Sequence, residues 1–292
     1  MRITNIRTVV YEHELHRALG DVNNPKGRIA TSGLIVYIDT DVGLTGLGLG
    51  SPAARPHVEH LASVLVDTDP RGVRGLWKRM ADAVFKGGIV GPVAGGLGAL
   101  DTALWDLKAK ANDEPLWRTL GAATPRVRAY ASGLDMPLSD NELRLFYERM
   151  ASHGVAAGKL KGGASADEDM RRLGIMRDAL TKSGKPVNLM LDVNEHLTPK
   201  QAIRQVRAIE RSYDLTWIEE PARRWDAVGL KQVSQAVNAA VASGENLHHP
   251  GEFLPLLQIG ALDVVQVGTG TAGLTGAMIV ADMAYGVERP IA

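Results

Sequence analysis

Three short segments, each closing on a carboxylate, constrain this chain more than any other feature. They are Leu189-Met-Leu-Asp-Val-Asn-Glu195, Trp217-Ile-Glu-Glu-Pro221 and Ser243-Gly-Glu-Asn246. Asp192 and Glu219 lie 27 residues apart, and Glu219 and Glu245 lie 26 apart, about the length of one strand–helix repeat. One carboxylate at the end of each of three successive parallel strands would converge at the carboxyl-terminal mouth of a barrel, where such folds carry their chemistry. Three oxygen ligands without Cys or His suit Mg²⁺ better than zinc. Each carboxylate has a plainer reading: a turn or cap for Asp192, a solvated strand end for Glu219 and Glu220, and a loop for Glu245. Three such accidents at one repeat spacing are improbable together.

Composition narrows the function classes. With Lys plus Arg and Asp plus Glu at 33 each, no basic excess points to nucleic acid or an anionic membrane. The absence of cysteine removes disulfides, thiolate nucleophiles and Cys-zinc sites, which fits a cytoplasmic protein. The start has no apolar stretch of signal-peptide length, and no segment reads as a membrane span. A chain of 292 residues is long enough for one large or two ordinary domains.

The period of the apolar residues divides the chain. Residues 3–11 read as a strand, residues 12–29 as an exposed, mobile loop with Asn-Asn-Pro-Lys-Gly turn chemistry, and 31–39 with 44–50 as a hairpin. Helical spacing follows over 54–66, 70–85 and 93–111, with Leu97, Leu100, Leu104 and Leu107 on one face. Gly121-Ala-Ala-Thr-Pro125 marks a boundary between a first domain, 1–121, and a second, 126–292. In the second, strands near 127–131, 155–161, 187–192, 215–218, 239–243 and 262–267 alternate with helices near 139–152, 167–182, 199–211, 226–236, 250–258 and 273–285. That rhythm predicts an α/β fold of parallel β/α units. Pro290-Ile291-Ala292 reads as the opening of a seventh strand.

Lys159-Leu-Lys161 closes the second of these strands, and the period of two puts both ammonium groups on one face, the interior of a barrel. Two adjacent cations in a desolvated site disfavour each other's protonation, so one lysine is expected to be neutral enough to act as a base. An isolated Lys-x-Lys is usually a solvated strand end; the nearby acidic triad favours the interior. Asn194 shares the face of Asp192 and is a candidate ligand contact, Asn246 a candidate supporting residue, and Glu220 is expected to pair with a lysine. His196, His248 and His249 are candidate acids or bases, although loop histidines are more often solvated. Arg17, His16 and Lys26 are candidate substrate-carboxylate contacts should the early loop fold over the barrel. Gly268-Thr-Gly-Thr-Ala-Gly273 lacks dinucleotide or P-loop spacing and reads as a tight strand-to-helix turn. Trp105 and Trp117 read as core residues.

These motifs resemble the enolase superfamily, in its mandelate racemase and muconate lactonizing branch. Lys159-Leu-Lys161, Asp192-Val-Asn194, Ile218-Glu-Glu-Pro221, Gly244-Glu-Asn246 and the helix Gly98-Ala-Leu-Asp-Thr-Ala-Leu-Trp-Asp-Leu-Lys-Ala109 carry the resemblance over nearly the whole chain. It implies a modified (β/α)8-type, TIM-like barrel under an N-terminal α+β capping domain whose early loop closes over the mouth. It implies one Mg²⁺ on Asp192, Glu219 and Glu245, Lys161 as the base, and Lys159 tuning it or contacting the substrate carboxylate. The implied reaction removes the proton α to a carboxylate, with a sugar acid as the expected small-molecule substrate and a homo-oligomer as the expected assembly.

The sequence departs from that branch in two places. The racemase and many acid-sugar dehydratases carry an Asp after the sixth strand and a His after the seventh. Here the sixth strand runs Val264-Val-Gln-Val-Gly268 without an acid, and Ala292 comes before any seventh-strand His, so the barrel is expected to be C-terminally incomplete near strand 7. Dehydration is the expected outcome, because racemisation needs a second base on the opposite face. A racemase or epimerase of a 2-hydroxy acid and a catalytically silent metal-binding homologue are the alternatives. A Schiff-base lysine aldolase is a third reading, against which the acidic triad speaks.

Overall fold

The computed structural model describes the side chains of residues 1–270 and 273–292. Strand β1 (Ile3–Leu19) pairs antiparallel with β2 (Arg28–Thr40), which pairs with β3 (Thr45–Gly50). The expected mobile loop over 12–29 is mostly ribbon: pairing continues from Tyr11↔Gly33 to Glu14↔Ala30 and resumes at Leu19↔Arg28. Both faces of this ribbon meet solvent, so its strands need no apolar alternation and its polar composition imitates a loop. Helices α1 (Arg55–Leu65), α2 (Val73–Val84) and α3 (Gly91–Ala111) cover the other end of the sheet. Leu34, Val36 and Ile38 of β2 pack there with Val58, Leu61, Leu97, Leu100 and Leu104, all at most 1% exposed. At Gly48 an added Cβ would collide with the backbone of Ala99; the missing side chain lets β3 lie directly on α3. A single turn, α4 (Leu116–Thr119), follows.

Six strands then form a parallel sheet in sequence order: β4 (Ala131–Ser132), β5 (Ala157–Lys161), β6 (Asn188–Asp192), β7 (Leu215–Glu219), β8 (Ala240–Ser243) and β9 (Val264–Val265). Between them run α5 (Asp140–Ser152), α6 (Ala166–Leu180), α7 (Pro199–Ile209), α8 (Ala227–Ala236) and α9 (Pro250–Gln258). Each of these helices starts at a legible cap. Ser139, Thr198 and His249 form capping boxes with Glu142, Gln201 and Glu252, while Ser165 and Asp226 accept from Glu168 and Gly229 N–H. The strand expected at 127–131 is shorter and later. Pairing with β5 begins at Ala131↔Gly158, so residues before it have no strand opposite, and Val127 is 90% exposed. Pro290-Ile291-Ala292 does extend the sheet, since Val265 N donates to Pro290 O and Ala292 N donates to Val265 O, both at 2.9 Å.

The last helix, α10 (Thr269–Gly286), is broken at Gly273, whose φ of 74° and ψ of 172° are not helical. Within the glycine-rich run, Thr271 and Ala272 lie outside the described residues. Gly273 sits against Asp101 of α3, and just beyond it Thr275 donates from N and Oγ1 to the Asp101 carboxylate at 2.8 and 2.6 Å. Trp105 Nε1 completes the joint with a 2.9 Å bond to Thr275 Oγ1. Trp105 is core as expected; Trp117 is half-buried, with the Arg118 guanidinium over its ring. Among the described residues no helix is long and apolar enough to cross a membrane.

Candidate active site

Lys161, Asp192 and Glu219 are successive partners in the parallel register, at the carboxyl ends of β5, β6 and β7. Lys159, two residues earlier, projects to the same face. All four residues are buried, none more than 5% exposed. Lys159 Nζ lies 2.9 Å from Asp192 Oδ2 and also donates to Glu219 Oε1, while Lys161 Nζ donates to Asp192 Oδ2. Tyr130 faces the Lys159 ammonium and meets Trp217 edge-on, and Trp217 Nε1 donates to Glu219 Oε2 at 3.1 Å. The sequence thus placed the lysine pair correctly in the interior.

Burial in such a pocket disfavours every charge, and opposite charges decide the outcome. Burial alone would raise the Asp192 carboxyl, yet the Lys159 and Lys161 ammonium groups hold it below its ordinary range. Burial and the neighbouring Asp192 push Glu219 up to about 7, against the pull of Lys159. Desolvation lowers Lys159, but Asp192 and Glu219 outweigh it and hold it well above the usual lysine range. The mutual repulsion expected to neutralise one lysine is therefore overridden at Lys159 by two carboxylates.

The backbone turns sharply after these strands. Asn194, Glu195 and Glu220 have φ of 44°, 58° and 47°, the left-handed region that side chains other than Asn and Asp seldom adopt. The kinks are held by Val193 N to Glu219 O, Glu195 N to Glu220 O and Glu220 N to Ala242 O. They turn Glu220 away from the lysines. Instead of a lysine partner it accepts from Asn246 Nδ2 at 2.6 Å and Asn194 Nδ2 at 3.4 Å, and burial followed by Glu245 and Asp192 raises it to about 8. Arg224 binds Glu195 through two nitrogens and Asn246 O through a third.

Of the three spaced carboxylates, the structure brings two together. Asp192 and Glu219 converge on one cation, the Lys159 ammonium. Glu245 follows Gly244 (φ 127°) beyond β8, half-buried, and its charge reaches Tyr130 and Glu220. Among the described residues no three His, Asp or Glu side chains are gathered as a finished metal cluster. The donor chemistry nevertheless fits a hard divalent cation: two buried carboxylates already share a positive charge, a third stands one strand away, and the donors are all oxygen. Asn194 Oδ1, Ser243 Oγ and Gln266 Oε1, following or ending β6, β8 and β9, are buried without a hydrogen-bond partner.

The other candidates have separate occupations. Arg17 binds Ala18 O of its own strand at 3.0 Å and Gly133 O just past β4, and its guanidinium lies over the Phe146 ring. His16 is exposed and meets His13 edge-on, and Lys26 is exposed in the ribbon's turn. These contacts seam the ribbon to the sheet and give neither Arg17 nor His16 a bond to the lysine–carboxylate cluster. The ribbon does reach the mouth, through Asn23: its Nδ2 donates to Asn194 O at 2.8 Å, and its Oδ1 lies 3.3 Å from His196 Nδ1. His248 lies near Glu252, and His249 caps α9, stacked on Trp77. Burial lowers His249 against the opposing pull of Glu252.

Sequence reasoning missed Asp135, Tyr147 and Arg172, which back the lysine strand. Asp135 and Tyr147 are fully buried and Arg172 is 4% exposed. Asp135 Oδ1 accepts from Lys161 N at 3.0 Å, and Tyr147 Oη lies 2.7 Å from Asp135 Oδ2 and 2.9 Å from Lys159 O. The available signal was a carboxylate just past the first parallel strand, but no apolar run precedes it.

Two family profiles match the chain: "Mandelate racemase / muconate lactonizing enzyme, N-terminal domain" over residues 25–121 and "Enolase C-terminal domain-like" over residues 142–292. The 3,6-anhydro-alpha-L-galactonate cycloisomerase of Streptomyces coelicolor is 31% identical over 93% of this chain and 76% of its own length. The L-talarate/galactarate dehydratase of Salmonella typhimurium is 32% identical over 80% of this chain and 60% of its own. A crystal structure of a racemase from Streptomyces coelicolor with bound magnesium superposes with a TM-score of 0.91 at 29% identity, over 99% of this chain and 82% of that one.

Proposed function

The chain belongs to the mandelate racemase and muconate lactonizing enzyme family, and on that premise we propose that it removes the proton α to the carboxylate of a sugar acid, leading to loss of water. The observation that carries this reading is the register of Lys161, Asp192 and Glu219, a base, an acid and an acid side by side at the ends of three adjacent strands. The dehydratase and cycloisomerase relatives support it, because both act on sugar acids by name.

Asp192, Glu219 and Glu245 would hold one Mg²⁺. A bound Mg²⁺ supplies positive charge at the substrate carboxylate, where a second negative charge develops as the proton leaves. Lys161, nearer the carboxyl end of β5, accepts the proton. Lys159 lies one step deeper between two carboxylates, stays charged, and adds its field to the same oxygens. Asn194 and Asn246 hold Glu220 by their amides and so fix the rim around Asp192. Elimination of the β-hydroxyl as water gives an enol that tautomerises to a 2-keto-3-deoxy acid. Cycloisomerisation is the second reading, favoured by the Streptomyces relative; it begins with the same proton removal.

The test is proton exchange in D2O, followed by NMR across a panel of aldonic and aldaric acids with Mg²⁺. Wild type should wash out the α-proton of at least one acid. Lys161→Ala should lose about 10²–10⁴ of that rate, the range of a positioned general base, while Mg²⁺ still raises its melting temperature. Unchanged exchange in Lys161→Ala would sink the base assignment, and no Mg²⁺-dependent exchange with any acid would sink the activity.

A further inference from the structure

β4 ends at Ser132, opposite Lys159, whereas β5 runs on to Lys161. Gly162 N bonds across to Asp192 O on the β6 side, so the preceding Lys161 N–H faces the β4 side, where the strand has stopped. A buried N–H needs a partner, and Asp135 Oδ1 is that partner at 3.0 Å. The other carboxyl oxygen meets Tyr147 Oη, which also reaches Lys159 O. One carboxyl–phenol pair therefore holds both ends of Lys159-Leu-Lys161 from behind.

Asp135 is itself fixed from two directions. Arg172 of α6 donates to Asp135 O at 2.7 Å and to Leu138 O at 3.0 Å. Gly20, where the turn at the tip of the β1–β2 ribbon begins, donates to Leu134 O at 3.0 Å. Leu134 is left-handed, with φ of 46°, a strain that aims the following carboxyl inward. Tyr147 has one hydroxyl hydrogen for two acceptors. Both bonds form when Asp135 carries a hydrogen on Oδ2, donates it to Tyr147 Oη, and leaves Tyr147 to donate to Lys159 O. An asparagine amide can make the same pattern.

We propose that Asp135, acting through Tyr147 and the Lys161 backbone N–H, is a positioning residue that sets the aim of the Lys159 and Lys161 side chains. The proposal rests on the reading of Lys161 as base, and two readouts separate the two ideas. The first is the kinetics of Mg²⁺-dependent α-proton exchange. Asp135→Ala should lower kcat about 10- to 100-fold with KM within threefold, and Asp135→Asn should recover to within threefold of wild type. A core variant remote from the site, Leu104→Ala, matched or exceeding Asp135→Ala in lost melting temperature, should keep kcat within twofold. The second needs no turnover: acetylation by acetic anhydride, mapped by mass spectrometry, at Lys161 relative to exposed Lys86. Asp135→Ala should raise the relative rate at Lys161 at least fivefold, and Leu104→Ala should leave it within twofold. The proposal is overturned if Asp135→Ala keeps kcat, if Leu104→Ala loses as much, if Asn is as poor as Ala, or if Lys161 labelling does not change. If wild type exchanges no proton, the activity reading fails and labelling alone decides the positioning role.

Discussion

Lys159 is the only cation bonded to Glu219 among the described residues, while Asp192 is also bonded by Lys161. Removing one partner of a buried ion pair leaves the other charge uncompensated, which costs about 3–5 kcal/mol. Lys159→Met should therefore lose about 3 kcal/mol of stability in EDTA, and it also removes the pull that holds the Glu219 carboxyl down. A divalent cation on the same carboxylates would replace the missing charge, and Mg²⁺ at 100 times its dissociation constant returns about 2.7 kcal/mol. Thermal unfolding with EDTA and with Mg²⁺ checks this: the Mg²⁺-induced rise should be larger in Lys159→Met than in wild type. An equal or smaller rise would show that Lys159 does not occupy the cation position. At this scale the sequence exposed the lysines and carboxylates because period two and repeat spacing are visible in a string. It concealed the partners of Glu220 and the role of Asp135, since left-handed kinks and side-chain bonds to backbone leave no period to read.

Among the elements, α3 and α10 meet at a titratable joint. Burial pushes the Asp101 carboxyl from its ordinary 3.8 up to about 6, against bonds from Thr275 and Leu274. The fold thus holds a proton on Asp101 at pH values where the open chain has released it. Stability from this group is complete below pH 3.8 and is lost as pH rises through about 6. The gap between the two values is worth about 3 kcal/mol. Denaturant unfolding of wild type and Asp101→Asn should show the wild-type advantage shrinking by about 2 kcal/mol between pH 4 and pH 6.5, and a constant difference would contradict the assignment. The helices themselves were legible because their caps and apolar faces are local. The joint was not, because Gly273 reads as one more turn glycine until Asp101, 172 residues earlier, is seen beside it. β4 was misread for a related reason: a strand ends where its partner ends, and the partner lies elsewhere in the chain.

Across the whole molecule, the tip of the β1–β2 ribbon reaches the loop after β6 through Asn23, beside the bonds that Arg17 and Gly20 make to Gly133 O and Leu134 O. Asn23 bonds Asn194 O and lies within reach of His196, and Asn194 N in turn donates to Asp192 Oδ1 at 2.9 Å. The ribbon's tip is thereby tied to the loop that carries the first carboxylate. Polar composition alone could announce that residues 12–29 are exposed, but not that they are paired and anchored, since the anchor is formed with a segment 171 residues away. Asn23→Ala removes one well-made bond at a half-open site, worth about 1 kcal/mol, or about a fivefold change in the population of the detached tip. Trypsin reads that population at Lys26, in the turn between the two strands, when opening is faster than cleavage. Cleavage after Lys26 should rise about fivefold in Asn23→Ala, with the global melting temperature nearly unchanged because the hydrophobic clusters are untouched. For the sugar-acid reaction the same change should raise KM a few-fold and leave kcat within twofold, since Asn23 is tied to the loop after β6 and not to the lysines. If cleavage at Lys26 stays at the wild-type rate, the tip is held by the ribbon's own pairing and by the bonds Gly20 makes with Leu134 and Met136, and Asn23 does not latch it.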